Sequence, residues 1–398
     1  LRTRGGALGA DRMKKLTFSH KVWLARHARR AHVRRIVEKD RRHERRTGHR
    51  TKRAVGYHDG TRRKIWVSAK PDPVPALLCF DRNFEETAAF IEHATTKLCQ
   101  VYAENRNRIR SRRTPVGWHD FASLEEITPG AALVLAAEYD RVRMLYGAAQ
   151  MYAINVDDWQ AQPRDLLRSL GFFDLLGIEA PPVRPDEMRT IVRFRSDTNV
   201  NMAVASRTLI EVIELAASAA IIGVGQDPLK EFRTFLQAIG EALNNTSDHA
   251  YPDNLSTEFP NVGRWWITGA VDLDARRLTF AVYDQGVTIP RAIPYGRRFE
   301  RVRRIVQTLT RRGYDPDDRS LDGHAIAAAV RSGVSGTGLD HRGRGLGLMR
   351  DYIRNERSGR LRIVSRNGEF VACTGRKDEY RTRSVPLHGT FVEWIVDL

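Results

Sequence analysis

The chain has 398 residues and a formal net charge of +18, with 41% hydrophobic and 29% charged residues. That length suggests two or three domains, each able to bury its own core. Three cysteines without paired spacing, Cys79, Cys99 and Cys373, argue against a disulfide framework or a zinc site and for a reducing compartment. The longest apolar stretch, near Ala216–Val224, runs about ten residues, too short to span a bilayer, and no apolar segment follows the basic N-terminus as a secretory signal would. A soluble cytoplasmic protein is therefore expected.

The charge is concentrated at the N-terminus. Residues 1–72 hold 23 Lys/Arg against 6 Asp/Glu, whereas the remainder is nearly balanced at 43 against 42. Leu1–Asp11 is compositionally unlike the rest of the chain, which makes Met13 a candidate start. His20–Arg46 reads as a basic helix with a thin apolar edge of Val22, Trp23, Val33, Ile36 and Val37, and Ala54–Ala69 as a hairpin around Asp59-Gly60. Such an arm suits nucleic acid through residues 13–70, an acidic protein surface or anionic lipid; a solvated tail is the plainer reading. Trp23 and Trp66 offer stacking or packing without deciding between them.

Pro71–Pro75 reads as a linker. Beyond it a strand-like ALLCF is followed by a helix over Asn83–Asn105, a basic break, a strand through Trp118–Phe121 and a helix over Pro129–Tyr146. A strand near Tyr152–Val156 and a helix over Gln162–Leu170 complete the region. Strands alternating with helices predict a small α/β domain. Its segments HDFASLEEITPGAALVLAAEYDR and LLRSLGFFDLLGI resemble a STAS domain, the fold of anti-sigma-factor antagonists. That resemblance implies a phosphoacceptor turn before a helix. Here the turn is Ile127-Thr128-Pro129-Gly130, so the acceptor is lost unless Thr128 replaces it.

Glu179–Glu187, with Pro181-Pro182, forms a second, stiff linker. After a strand over Thr190–Arg195 and a long helix over Met202–Ile222 comes Glu231–Tyr251, EFRTFLQAIGEALNNTSDHAY. At about 100° per residue, Phe232, Phe235, Leu236, Ile239, Ala242 and Leu243 form one apolar stripe. Glu241, Asn245 and His249 fall at i, i+4 and i+8 on the other side, within an arc of about 80°. Three later stretches carry further chemistry. Leu278–Pro290, LTFAVYDQGVTIP, ends a β-rich run in Asp284, with Gly286 placed where backbone approaches a ligand closely. Gly343–Leu348, GRGLGL, leaves amides free before a helix to cradle phosphate oxygens. Gly389–Val396 is a closing strand that starts with Gly-Thr. Each also has an ordinary reading, as an amphipathic helix, a strand-to-turn transition or a glycine-opened helix. Between them, Ile289–Arg342 is a long charged insertion with a basic helix, RRFERVRRIVQTLTRRG, and a glycine-rich run. Leu361–Ser365 and Glu369–Cys373 read as a hairpin across Asn367-Gly368.

In this order, ExxxNxxxHA, DxGxxIP, GxGLGL and GT resemble the GHKL ATPase family over roughly residues 200–398, with the first box most similar to the soluble anti-sigma-factor kinases. The resemblance implies an α+β chain. A C-terminal GHKL (Bergerat) α/β sandwich with a mixed sheet would span 188–398, with a lid at about 289–342. Ahead of it would stand the STAS-like α/β domain over 75–182 and the basic arm over 1–72. It implies ATP and Mg²⁺ as cofactors, with Asn245 holding the metal, Glu241 orienting or deprotonating the attacking group and Asp284 accepting from the adenine amine. His249, Gly286 and Ile289 would line the nucleotide. Gly343, Gly345, Leu346 and Gly347 would wrap the phosphates, Thr390 would sit beside the base, and Arg342 and Arg344 flank the phosphate loop, as γ-phosphate partners or plain surface arginines. Where the family often has a second glycine in its Asp box this chain has Thr288, which leaves the local backbone shape open. Three function classes are implied: an ATP-driven switch acting on a protein partner, a Ser/Thr protein kinase of anti-sigma type, and a nucleic-acid adaptor in which nucleotide is structural. A homodimer is left open, and no membrane span is expected.

Overall fold

The computed structural model describes residues 53–58, 61–66, 74–110, 120–146, 156–177, 191–218, 232–296, 298–333, 345–356 and 358–398. The basic helix expected at 20–46, the linker at 179–187, the strand expected at Tyr152–Val156 apart from Val156, and Arg342, Gly343 and Arg344 lie outside them. Strands β1 (Arg53–His58) and β2 (Thr61–Trp66) form the expected hairpin.

The centre is a five-stranded sheet made of β5 (Arg195–Asp197), β6 (Trp265–Asp272), β7 (Arg277–Asp284), β8 (Gly359–Cys373) and β9 (Glu379–Asp397), in the order β5-β6-β7-β9-β8. Every pairing in it is antiparallel, which corrects the mixed sheet expected from sequence. For two of the four pairings the reason is local: β6–β7 and β8–β9 are hairpins joined by short turns, and short connections force antiparallel neighbours. A second correction concerns β8. Residues 361–365 and 369–373 are one continuous strand, with register shifts between Ser365 and Gly368 and Arg366 at φ 55°. Asn367 donates its N–H to the Asp322 carboxylate at 3.0 Å, so Asn367-Gly368 makes a bulge and not a turn.

Both faces of the sheet are covered, and the strands show it in a strict period of two. Trp265, Ile267, Leu278, Phe280 and Val282 join a core with α5 (Met202–Ser218) and α6 (Arg233–Asn245). All six stripe positions of α6 pack there, and Phe235 meets Phe280 and Trp394 edge-on and stacks on Tyr352 at 4.7 Å between centroids. Trp266, Ala270, Ala281 and Tyr283 point the other way, into a core shared with α1 (Phe84–Arg110), α2 (Pro129–Tyr146), α3 (Ala161–Leu170) and α4 (Phe172–Leu176). The described residues of 74–398 accordingly fall in one compact unit. No helix among the described residues is long and apolar enough to cross a membrane.

The region 75–182 is largely helical where it is described. Its strands are two-residue pieces, β3 (Leu77–Leu78) and β4 (Glu126–Ile127), paired in parallel. The strand expected through Trp118–Phe121 is replaced at its described end by a 3₁₀ turn, Phe121–Ser123, capped by Asp120, whose carboxylate accepts from the Ala122 N–H at 3.1 Å. Phe121 and Leu124, both buried, are spaced for a turn and not for a pleat. Thr128 enters α2 with its N–H bonded to the Leu78 carbonyl at 3.0 Å. The insertion at 289–342 is built on α7 (Phe299–Thr310) and α8 (Asp322–Gly333), which share a small core of Ile293, Val302, Val306, Ala325 and Ala328. The opposite edge of α8, at Ile326, Ala327 and Val330, joins the main core.

A buried polar knot ties α2 to β7. The Glu138 carboxylate pairs with Arg141 and accepts from Thr95 at 2.7 Å, the Tyr283 hydroxyl at 2.9 Å and the Gln285 amide at 3.0 Å. Nearby, Trp266 Nε1 donates to Asp140 at 3.0 Å. Glu138→Ala strands a buried guanidinium and should cost about 3–5 kcal/mol. Urea unfolding should show this as one lowered transition; a loss under about 1 kcal/mol, or a helical layer melting ahead of the sheet, would contradict the shared core.

Candidate functional site

Glu241 and Asn245 lie one turn apart on α6, both half-buried, as the spacing requires. His249 does not continue the row. The helix widens into a π turn, Thr246–Ala250, and His249 is exposed. Such one-turn widenings concentrate at functional sites, because they re-aim side chains that a regular helix would stack. Here the turn buries Thr246, whose hydroxyl lies 3.2 Å from both the Ala242 carbonyl and the Asp284 carboxylate.

Asp284 ends β7, paired across the ladder with Trp265 on β6 and with Thr390 on β9. It is 6% exposed. Its carboxylate accepts from the Gly286 N–H at 2.9 Å, and burial outweighs its hydrogen bonds and pushes its pKa up to about 6. Gly286 faces the end of the π turn so closely that any Cβ would strike the Ala250 backbone, and the Val287 N–H bonds the Ala250 carbonyl at 2.8 Å. Thr390 is linked to Ser365 at 2.9 Å between hydroxyls, and Ser365 Oγ accepts from the Ile289 N–H at 2.8 Å. Ser365 is a residue that sequence reasoning missed, since a lone Ser in a strand carries no signal. Thr246 was missed for the same reason.

The glycine-rich stretch arrives at α9 (Gly345–Asp351), which runs on into a second π turn, Tyr352–Glu356. Gly345 seats directly on α6. A Cβ there would lie 2.8 Å from Glu241 Oε2 and 3.2 Å from Asn245 Nδ2, so any larger residue would push the ends of those two side chains away. Gly347 is buried and Leu346 packs against the core beside α6. Burial raises the Glu241 pKa above the ordinary carboxylate value, with a further contribution from the Asp248 carboxylate. Asn245 Nδ2 is buried and has no hydrogen-bond partner among the described residues. Thus one patch holds Glu241, Asn245 and Gly345, and Thr246, next in chain, links it to Asp284, Gly286, Ile289 and Thr390.

Among the described residues no group of three His, Cys, Asp or Glu side chains could hold a metal ion. A Mg²⁺ ion needs only one or two protein oxygens when phosphates and water supply the rest, and the Asn245 carboxamide beside Glu241 fits that modest donor set. The chain matches no family model, and no curated protein or solved structure is significantly similar to it.

Thr288 answers the question its identity raised. It holds φ 79° and ψ 151°, a region that β-branched residues avoid, so the backbone has the shape of a glycine position while carrying threonine. Strain of this kind costs about 1–3 kcal/mol and collects at functional sites. Thr288→Gly should therefore raise stability by about 1 kcal/mol after glycine's own entropic cost, read as a higher melting temperature. A lower melting temperature would show that the threonine is not strained.

Proposed function

We propose that the protein binds ATP with Mg²⁺ and uses binding or hydrolysis to switch its interaction with a protein partner, in the manner of a GHKL ATPase. The single observation that supports this most is the seating of Gly345 on Glu241 and Asn245, one residue from the Thr246 link to Asp284. Three separate stretches of chain meet there, which supports a site with one end for the base and one for the phosphates. In this reading Asp284 accepts from the adenine amine at the floor, beside Thr390 and Ile289. Asn245 supplies the carboxamide that holds Mg²⁺, and the glycine stretch through Gly345 and Gly347 offers backbone to the phosphates. Mg²⁺ would neutralise charge on the phosphate oxygens. Glu241 orients the attacking water, or a partner's hydroxyl if the protein is a Ser/Thr kinase of anti-sigma type. Its raised pKa suits proton transfer better than an ordinary carboxylate's would. The GHKL sandwich and the STAS-like character of 75–182 belong to the same proposal. A second reading rests on the charge of residues 1–72: the arm holds a polyanion and nucleotide only stabilises the fold.

Asp284→Asn separates affinity from stability. Losing the buried acceptor should weaken ATP binding by roughly 10–100-fold, about 1–3 kcal/mol. Its folded pKa of about 6 lies above the ordinary 3.8, so the stability that Asp284 contributes is present at low pH and lost as pH rises through about 6. At pH 8 the wild type carries the full cost of an ionised buried carboxylate. The variant should be the more stable of the two there, by on the order of 3 kcal/mol, with the advantage gone below about pH 4. Calorimetric titration beside thermal unfolding reads both quantities. Unchanged affinity removes Asp284 from the adenine role.

Glu241→Ala should keep ATP affinity within a few-fold while lowering single-turnover hydrolysis by about 10²–10⁴-fold. The phosphates would rest on the glycine stretch and on Mg²⁺ at Asn245, so Glu241 need touch only the nucleophile. Unchanged hydrolysis in a folded variant would sink this assignment and favour the second reading.

A further inference from the structure

The insertion at 289–342 carries a local charge that the chain around it does not. Residues 73–398 are balanced at 43 Lys/Arg against 42 Asp/Glu, yet residues 298–312 hold six arginines and one acid, Glu300. Most of them ride on α7. Val302 and Val306 turn its apolar side onto Ile293, Ala325 and Ala328, with Phe299 and Ile305 packed beside them. Arg301, Arg303, Arg304, Gln307 and Thr308 are exposed on the side left over, and Arg311 and Arg312 follow, also exposed, where the helix ends.

The pairing of these arginines is light. Arg303 meets Glu300 at 2.8 Å and Arg312 meets Asp318 at 2.9 Å, both in the open, where ion pairs hold little. Arg304 and Arg311 make no ion pair among the described residues. Three kinds of partner bring the negative charge that such a face attracts. A membrane takes up a surface helix through its apolar side, and that side of α7 is spent on α8. A protein interface centres on apolar or aromatic anchors, whereas every exposed side chain on this face is polar. That leaves the phosphate backbone of a nucleic acid, which guanidinium forks and a carboxamide contact without reading bases. Single strands are gripped partly by stacking on aromatic rings, and this face presents none. A duplex carries about one charge per 1.7 Å of its axis and needs only donors.

We infer that the exposed face of α7 is a docking surface for the phosphate backbone of duplex nucleic acid, bound without sequence preference. Arg304 and Arg311 are its principal contacts. They stand about 10 Å apart along the helix axis, comparable with about three phosphate steps of one strand. The surface requires neither nucleotide at the Asp284 site nor the basic arm of residues 1–72.

The test is a fluorescence-anisotropy titration of the full chain with a labelled duplex of about 16 base pairs, repeated over a series of salt concentrations. Wild type is compared with the double variant Arg304→Gln, Arg311→Gln. A control, Arg207→Gln with Arg233→Gln, removes the same charge from exposed positions on α5 and α6. The arm is identical in all three proteins, so its own binding cancels. Losing two phosphate contacts should lower the slope of log affinity against log salt by about 2, and affinity by roughly 100-fold at about 50 mM salt. Arg304→Gln alone should lower the slope by about 1. The control should stay within a few-fold of wild type. Unlabelled single strand, and polyglutamate of equal total charge, should each displace the duplex at least about tenfold less well than unlabelled duplex does. The inference is overturned if the α7 variants keep the wild-type slope, or if the control loses as much affinity as they do. It is also overturned if single strand or polyglutamate competes as well as duplex, because the face would then read charge alone.

Discussion

A strand alternates its side chains between two faces, and in β7 that constraint decides where everything else must go. Leu278, Phe280 and Val282 face α5 and α6, whereas Ala281 and Tyr283 face α1 and α2. Extending the same alternation by one step at each side places Asp284 with Thr246 on the α6 face and Gln285 with Glu138 on the α2 face. The sheet is covered on both sides, so neither group reaches bulk water. Each must find partners in the protein or in a ligand. A one-residue slip of the β7–β9 register would exchange the two faces and dismantle both sets of contacts together.

The two faces solve the problem of buried charge differently. On the α2 side each buried carboxylate faces a guanidinium, as in Glu138 with Arg141 and in Arg362 with Glu369, although Arg141 Nε and Gln285 Oε1 keep no hydrogen-bond partner among the described residues. On the α6 side it is left incompletely paired. Asp284 is pushed up to about 6, Glu241 is raised, and Asn245 Nδ2 has no partner among the described residues. Unspent polar capacity of that kind is a poor way to stabilise a fold and a reasonable way to receive a ligand.

Much of this was legible in the sequence because it rests on periodicity. The α6 stripe, the β6–β7 hairpin and the helix at Pro129–Tyr146 follow from apolar spacing alone. So does the α-helical spacing of Glu241 and Asn245. What was not legible depended on contacts distant in sequence. His249 left its row because the helix widens at Thr246, where that residue reaches Asp284. Asn367-Gly368 looked like a turn, yet Asp322 draws Asn367 into a bulge. The strand expected at Trp118–Phe121 gave way to a turn capped by Asp120. Sharing of one core between the sheet and the helices of 84–176 could not be read either, since nothing local in Trp266 or Tyr283 announces Asp140 or Glu138 as partner.

The central claim is that Asp284 is an acceptor waiting for a purine amine beside a phosphate-holding patch. Nucleotide selectivity tests it most directly. Titration with ATP-Mg²⁺ and with GTP-Mg²⁺ compares an amino group with a carbonyl at the same ring position, and a carbonyl facing a buried carboxylate leaves two acceptors without a donor. The account predicts saturable binding of ATP and binding of GTP weaker by at least about tenfold. GTP binding as tight as ATP, or no saturable binding of either, would contradict it.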